Sequence, residues 1–180
     1  MFLPAPELLH NLQISTWLCG LSSHLWLSGI PGAGKTVLSS LIIEECMNRT
    51  TAERAVAFFY SDYKSPNSQN VVNILGSIAS QLARQNENSF QLLSKYHRTL
   101  HPQYQLKQSP EIEQLIQLLR NMSSTFEDVR IVVDGLDECG SSTVDVLEAF
   151  PEQARLQYLN KKAKGYVIHL YSRQLTATLR

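Results

Sequence analysis

The sequence predicts an α/β fold, in which a parallel sheet of four strands carries helices on both faces in three layers. Three observations lead to that expectation. Short apolar runs at 55–60, 129–134 and 165–171 lack polar alternation, as expected of strands covered on both sides. The stretches between them repeat their apolar residues at helical spacing instead. The two kinds of segment alternate along the chain, and right-handed crossovers turn such an order into a parallel sheet.

A chain of 180 residues has room for one domain with a proper core. Residues 1–23 read as an N-terminal segment with one helix around 8–18, residues 24–175 as the domain core, and 176–180 as a truncated tail. The first strand is 24–28, with Leu25, Trp26 and Leu27. It runs into Gly29-Ile30-Pro31-Gly32-Ala33-Gly34-Lys35-Thr36, after which Leu38, Leu41, Ile42 and Met47 give a helix its apolar positions. Cys46 falls on the same side and reads as a small buried hydrophobe.

The second strand, 55–60, is followed by a long helix whose stripe is Val71, Ile74, Leu75, Ile78, Ala79 and Leu82. A weaker helix covers 89–100, and 101–108 is a polar connector containing Pro102. Ser109-Pro110-Glu111 reads as an N-cap, a first-turn proline and a first-turn acid. The helix that follows carries Ile112, Leu115, Ile116, Leu119 and Met122 on one side. The third strand ends in Asp134. A loop at Gly140-Ser141-Ser142, one or two helices to about Lys162 and a last strand at 165–171 complete the order.

Composition narrows the function classes. Lys plus Arg and Asp plus Glu stand at 16 each, so no net field favours a nucleic acid. The three cysteines, Cys19, Cys46 and Cys139, are far apart and form neither a metal pair nor a disulfide framework, which fits a reducing, cytoplasmic setting. The N-terminus has no basic run before an apolar core, and no apolar run is long enough to span a bilayer. No membrane is therefore expected as a partner. The histidines are not at metal-ligand spacing.

The segment 29–36 fits G-x-x-x-x-G-K-[ST], the phosphate-binding loop, between a strand and a helix as that loop requires. A triphosphate carries several negative charges, and directed donors must replace the water around it. Gly29, Gly32, Ala33 and Gly34 supply a backbone able to turn its N–H groups inward as an anion nest. The helix start adds its positive pole. Lys35 reaches the outer phosphates, and the Thr36 hydroxyl is a ligand for Mg2+. The strand ending in Asp134 delivers a second Mg2+ ligand to the same sheet edge, where it would act through a water on the metal. Asp137 and Glu138 follow where a carboxylate can deprotonate the attacking water, and the choice between them stays open. Arg173, near the end of the last strand, is a candidate sensor of the γ-phosphate. Tyr60 and Asp62 close the second strand near where ligands bind in open α/β sheets, and a surface turn explains them equally well.

The strings 26–36, Phe58-Phe59-Tyr60-Ser61-Asp62-Tyr63-Lys64, Asp134-Gly135-Leu136-Asp137-Glu138-Cys139 and Ser172-Arg173 together resemble the NACHT-like P-loop NTPase domain. The nearest type is the fungal one related to the N-terminal region of nephrocystin-3, found in ankyrin- or WD-repeat proteins of the heterokaryon-incompatibility class. The resemblance spans about 15–175. It implies a STAND-type signalling switch that takes Mg2+ with ATP or GTP. Lys35 and Thr36 would sit on phosphate and metal, Asp134 on the metal, Asp137 or Glu138 on the water, and Arg173 would be the sensor. It also implies a sheet with the last strand between the first and the Asp134 strand. Where the family reads Thr-Ser-Arg at the last strand, this chain reads Tyr171-Ser172-Arg173. The sequence stops seven residues after Arg173, before the fifth strand, the lid and any repeats of the family pattern. Slow or absent hydrolysis is therefore expected, with protein partners engaged through regions outside this chain. The alternatives are a non-catalytic interaction scaffold with a vestigial site and a small P-loop kinase. The kinase requires an Arg-rich lid, and 101–108 offers only Lys107.

Overall fold

Val129, Ile131, Val132 and Val133 fill the buried strand that ends in Asp134, and side chains along it alternate between two helical layers. The computed structural model describes residues 12–19, 24–28, 32–62, 64–103, 106–136, 146 and 167–174, with the backbone alone for 12, 13, 24, 26, 28 and 167–174. Within them the elements are α1 (Leu12–Leu18), β1 (His24–Ser28), α2 (Lys35–Asn48) and β2 (Arg54–Tyr60). After a 3-10 turn at Pro66–Gln69 come α3 (Val71–Ala83), α4 (Glu87–Leu100), α5 (Ile112–Ser123), β3 (Asp128–Asp134) and β4 (Val167–Gln174).

The strands form one sheet in the order β1-β4-β3-β2. β2 and β3 are parallel, in register from Arg54↔Asp128 to Tyr60↔Asp134. β4 lies between β1 and β3 and is antiparallel to both. The expected all-parallel sheet is thus corrected at one strand: β1, β2 and β3 run together and β4 runs against them. The reason lies in the connection. The chain leaves β3 at Asp134 and enters β4 at the same edge, with His169 opposite Val133, so no crossover over the sheet is needed. The right-handed rule governs parallel connections only.

Strand alternation divides the core. Ala55, Ala57, Val129, Ile131 and Val133 point to one face, where they meet Ile74, Ile78 and Leu82 of α3 and Leu115, Leu119 and Met122 of α5. Val56 and Val132 point to the other, against Ile14 and Trp17 of α1 and Ile42, Ile43 and Cys46 of α2. Helices therefore cover both faces, as expected for the α/β class. Truncating a fully buried Ile74 or Leu82 to Ala would cost about 2–5 kcal/mol.

Polar groups fasten the layers. β2 is the edge strand, and its Val56 and Phe58 amides would lack partners. The Gln85 and Gln81 carboxamides each accept from one of these N–H groups at 3.0 Å and donate to the matching carbonyl at 2.7 and 2.8 Å. Glutamines one helical turn apart match strand residues two apart, since both spacings are about 6–7 Å. On the opposite face Arg130 ties α1 to the sheet. Its Nε donates to Asp128 Oδ2 at 2.9 Å, its Nη1 donates to the Trp17 carbonyl, and the guanidinium lies 4.8 Å from the Trp17 ring centre.

Two local expectations shift. α5 starts at Ile112 with Glu111 as its extended N-cap residue, so Ser109 and Pro110 belong to the approach and not to the helix. In α2 the buried positions are Ser39, Ile42, Ile43 and Cys46, while Met47 is exposed. Ser39 can be buried because its Oγ donates back to the Lys35 and Thr36 carbonyls. No helix among the described residues is long and apolar enough to cross a membrane.

Candidate functional site

Because β1, β2 and β3 share one direction, Ser28, Tyr60 and Asp134 all end at the same sheet edge. The β4 register sets Asp134 level with Leu27 of β1, two strands away, since both fall opposite the level of Ile168. The loop that follows β1 therefore leaves the sheet beside the end of β3.

Gly32 and Gly34 have φ of 78° and 76°, and no residue other than glycine has a positive φ among the described residues. A Cβ built on either glycine meets no atom of the described residues within 4 Å, so the requirement there is conformational. Left-handed turns two residues apart aim successive N–H groups into one concavity, which suits an anion. Gly34 caps α2, whose first residues are Lys35 and Thr36. Thr36 is exposed and Lys35 half-buried.

Asp134 has the same strand parity as Val132 and Arg130, which places it on the α2 face of the sheet. It is 6% exposed, and its carboxylate has no hydrogen bond or ion pair among the described residues. An unpaired carboxylate on a mostly buried residue is a natural site for a counter-charge. No group of three or more His, Cys, Asp or Glu side chains is arranged as a metal site among the described residues. The Asp134 carboxylate and the Thr36 hydroxyl are nonetheless groups that would suit Mg2+, a metal held by one or two protein groups together with substrate phosphates.

Tyr60 joins these elements. It pairs with Asp134 in the β2–β3 register, and its hydroxyl lies 3.1 Å from Ser40 Oγ, one turn into α2. Ser61 N donates to the Asp134 carbonyl at 2.9 Å. Beyond it, Asp62 Oδ1 accepts from Lys64 N, and the Asp62 carbonyl accepts from Ser68 Oγ and Gln69 Nε2. The Ser40–Tyr60 contact was not read from the sequence, although the place of Tyr60 at the end of β2 pointed to this edge.

Of the candidate residues, Gly32, Ala33, Gly34, Lys35, Thr36 and Asp134 come to one edge and one face. Gly29, Asp137 and Glu138 lie outside the described residues. Arg173 is not brought to that edge. It lies inside β4, opposite Val129, near the start of β3 and five residues from the Asp134 end. The reversal of β4 is the cause: in a strand parallel to its neighbours, the end of β4 would have stood beside Asp134.

The nephrocystin 3 N-terminal family matches the chain over residues 6–170. The vegetative incompatibility protein HET-E-1 of Podospora anserina is 27% identical over 147 residues, which is 78% of this chain and 10% of that protein. The chain thus spans about a tenth of the length of that curated relative. No solved structure matches it.

Proposed function

The chain belongs to the nephrocystin 3 N-terminal family, and on that footing we propose that it is a NACHT-like module of STAND type that binds Mg2+ with ATP or GTP at the edge where β1, β2 and β3 end. The observation that carries this reading is Asp134, a buried carboxylate without a partner among the described residues, on the sheet face that α2 covers. The first turn of α2 begins with Lys35 and Thr36, which supports the same reading.

In this reading the backbone N–H groups around Gly32–Thr36 and the positive pole of α2 hold the phosphates. Lys35 neutralises the outer phosphates, and the Thr36 hydroxyl and Asp134 hold the metal. Mg2+ held by Thr36 and Asp134 would offset the charge of the phosphates. Asp137 or Glu138, which follow Asp134 in the chain, would orient water and take its proton. Hydrolysis is expected to be slow, and nucleotide to serve as a signal rather than a fuel. The relative's name concerns vegetative incompatibility, and we extend to this chain a part in a signalling response of that kind, with protein partners.

Titration of the protein with fluorescent ATP and GTP analogues in Mg2+ tests the reading. Lys35→Ala is expected to weaken binding at least about tenfold, or 1.4 kcal/mol. Equal binding by Lys35→Ala and parent would refute it.

A further inference from the structure

α2 has a second end of interest. The helix is about 21 Å long, and where its first turn meets the phosphate loop, its last turn meets a cavity of about 260 Å3 at the opposite edge of the sheet. Arg49, Arg54 and Arg130 line that cavity together with Cys19, Cys46 and Asp128. From this arrangement we infer a second ligand site, for a small organic anion with a carboxylate or phosphate head, separate from the nucleotide edge.

Charge is the first argument. Three of the chain's 16 cations converge on one cavity, although the protein as a whole is neutral. Asp128 pairs with Arg130 and Glu45 with Arg49, so among the described residues three arginines meet two ion-paired carboxylates. The carbonyl end of α2 is a weak negative pole that repels an anion, so the guanidinium groups have to outweigh it.

Free donors are the second. Arg130 has a side-chain exposure of only 9%, yet it spends Nε on Asp128 and Nη1 on the Trp17 carbonyl, and its Nη2 has no partner among the described residues. Arg49 spends Nε and Nη2 on Glu45 and Nη1 on the Leu18 carbonyl, which fixes its plane at the rim. Arg54 is exposed at the mouth with no ion pair among the described residues. The uncommitted nitrogen of Arg130 and a loose arginine on one cavity match the planar, paired acceptors of a carboxylate or phosphate.

Size and lining are the third. The volume is just below that of pockets for drug-sized molecules, and Val56 and Leu18 give an apolar wall beside the arginines. The ligand class is therefore an anionic head on a short apolar body, too small to be a nucleotide.

Cys19 supplies a local reporter, because it is exposed, free and part of the lining, whereas Cys46 is buried. The test measures alkylation of Cys19 by iodoacetamide, read by peptide mass spectrometry, in the full chain carrying Lys35→Ala so that the phosphate loop takes no part. Succinate or inorganic phosphate at ~10 mM is expected to slow alkylation at least about fivefold relative to NaCl of matched ionic strength. Adding Arg54→Glu is expected to bring that ratio below about two, because an exposed side chain can be reversed without unfolding the protein. Protection by succinate alone or by phosphate alone assigns the head group. Absence of protection by both, equal protection by NaCl, or protection that survives Arg54→Glu would overturn the site. None of these outcomes bears on nucleotide binding, which is lost or kept at the other end of α2.

Discussion

The Tyr60 hydroxyl lies 3.1 Å from Ser40 Oγ, and Ser40 Oγ donates in turn to the Thr36 carbonyl at 2.9 Å. With its own hydrogen committed to Thr36, Ser40 accepts from Tyr60. The strand that pairs with β3 at Asp134 is thereby tied to the first turn of α2.

Tyr60→Phe removes this bond, and Ser40→Ala removes it together with the bond to the Thr36 carbonyl. Each is expected to lower stability by about 0.5–1.5 kcal/mol, and the double variant by little more than one of them. Urea unfolding of the four proteins measures the coupling. Fully additive losses would show that the two residues act independently.

Gly34→Ala tests the loop conformation. With φ at 76° and no atom of the described residues within 4 Å of a built Cβ, the expected cost is backbone strain of about 1–2 kcal/mol. In a chain of this size, each kcal/mol lowers the melting temperature by about 2–4 °C. A melting temperature unchanged by Gly34→Ala would mean that the left-handed turn is not populated.

The paired glutamines make a different claim. Gln85→Ala strands the Val56 amide and carbonyl, and Gln81→Ala those of Phe58, at about 1–3 kcal/mol each. Removing both uncovers the β2 edge, a template for pairing with another chain. Sedimentation is expected to show concentration-dependent self-association in the double variant and not in the parent.

Burial pushes the Cys46 thiol up from its ordinary 9.0 to about 12, with Arg130 and Arg49 pulling weakly the other way. A folded-state value above the unfolded one means that the unfolded chain releases its proton first. The protonated-thiol advantage is complete below pH 9 and is lost as pH rises from about 9 to 12. The parent should lose more stability over that window than Cys46→Ala, in denaturant titrations at stepped pH.

Much of this architecture was legible from the sequence, because the evidence for it is local. Val71, Ile74, Ile78 and Leu82 declare a helix face by spacing alone, and the run ending in Asp134 declares a covered strand. The loop with Gly32, Gly34, Lys35 and Thr36 was legible because it needs glycine where φ is positive. The direction of β4 was not, since an apolar strand such as 167–171 pairs either way and the choice lies in how the chain returns to the sheet. That one reversal also moved Arg173 to the opposite edge. Nor were the Gln81 and Gln85 caps or the arginine-lined cavity legible. They arise when residues distant in sequence meet across layers, and glutamine on a helix reads as an ordinary solvated residue.

Asp134 offers the most direct test of the nucleotide reading. Asp134→Asn removes a buried charge and keeps the shape of the side chain, so the free protein should be as stable as the parent or more so. ATP and GTP affinities are to be measured for both proteins in Mg2+ and in EDTA. The parent is expected to bind its preferred nucleotide at least about tenfold more tightly with Mg2+, and Asp134→Asn to lose most of that difference. An equal Mg2+ dependence in the two proteins, or no nucleotide binding by the folded parent, would contradict the account.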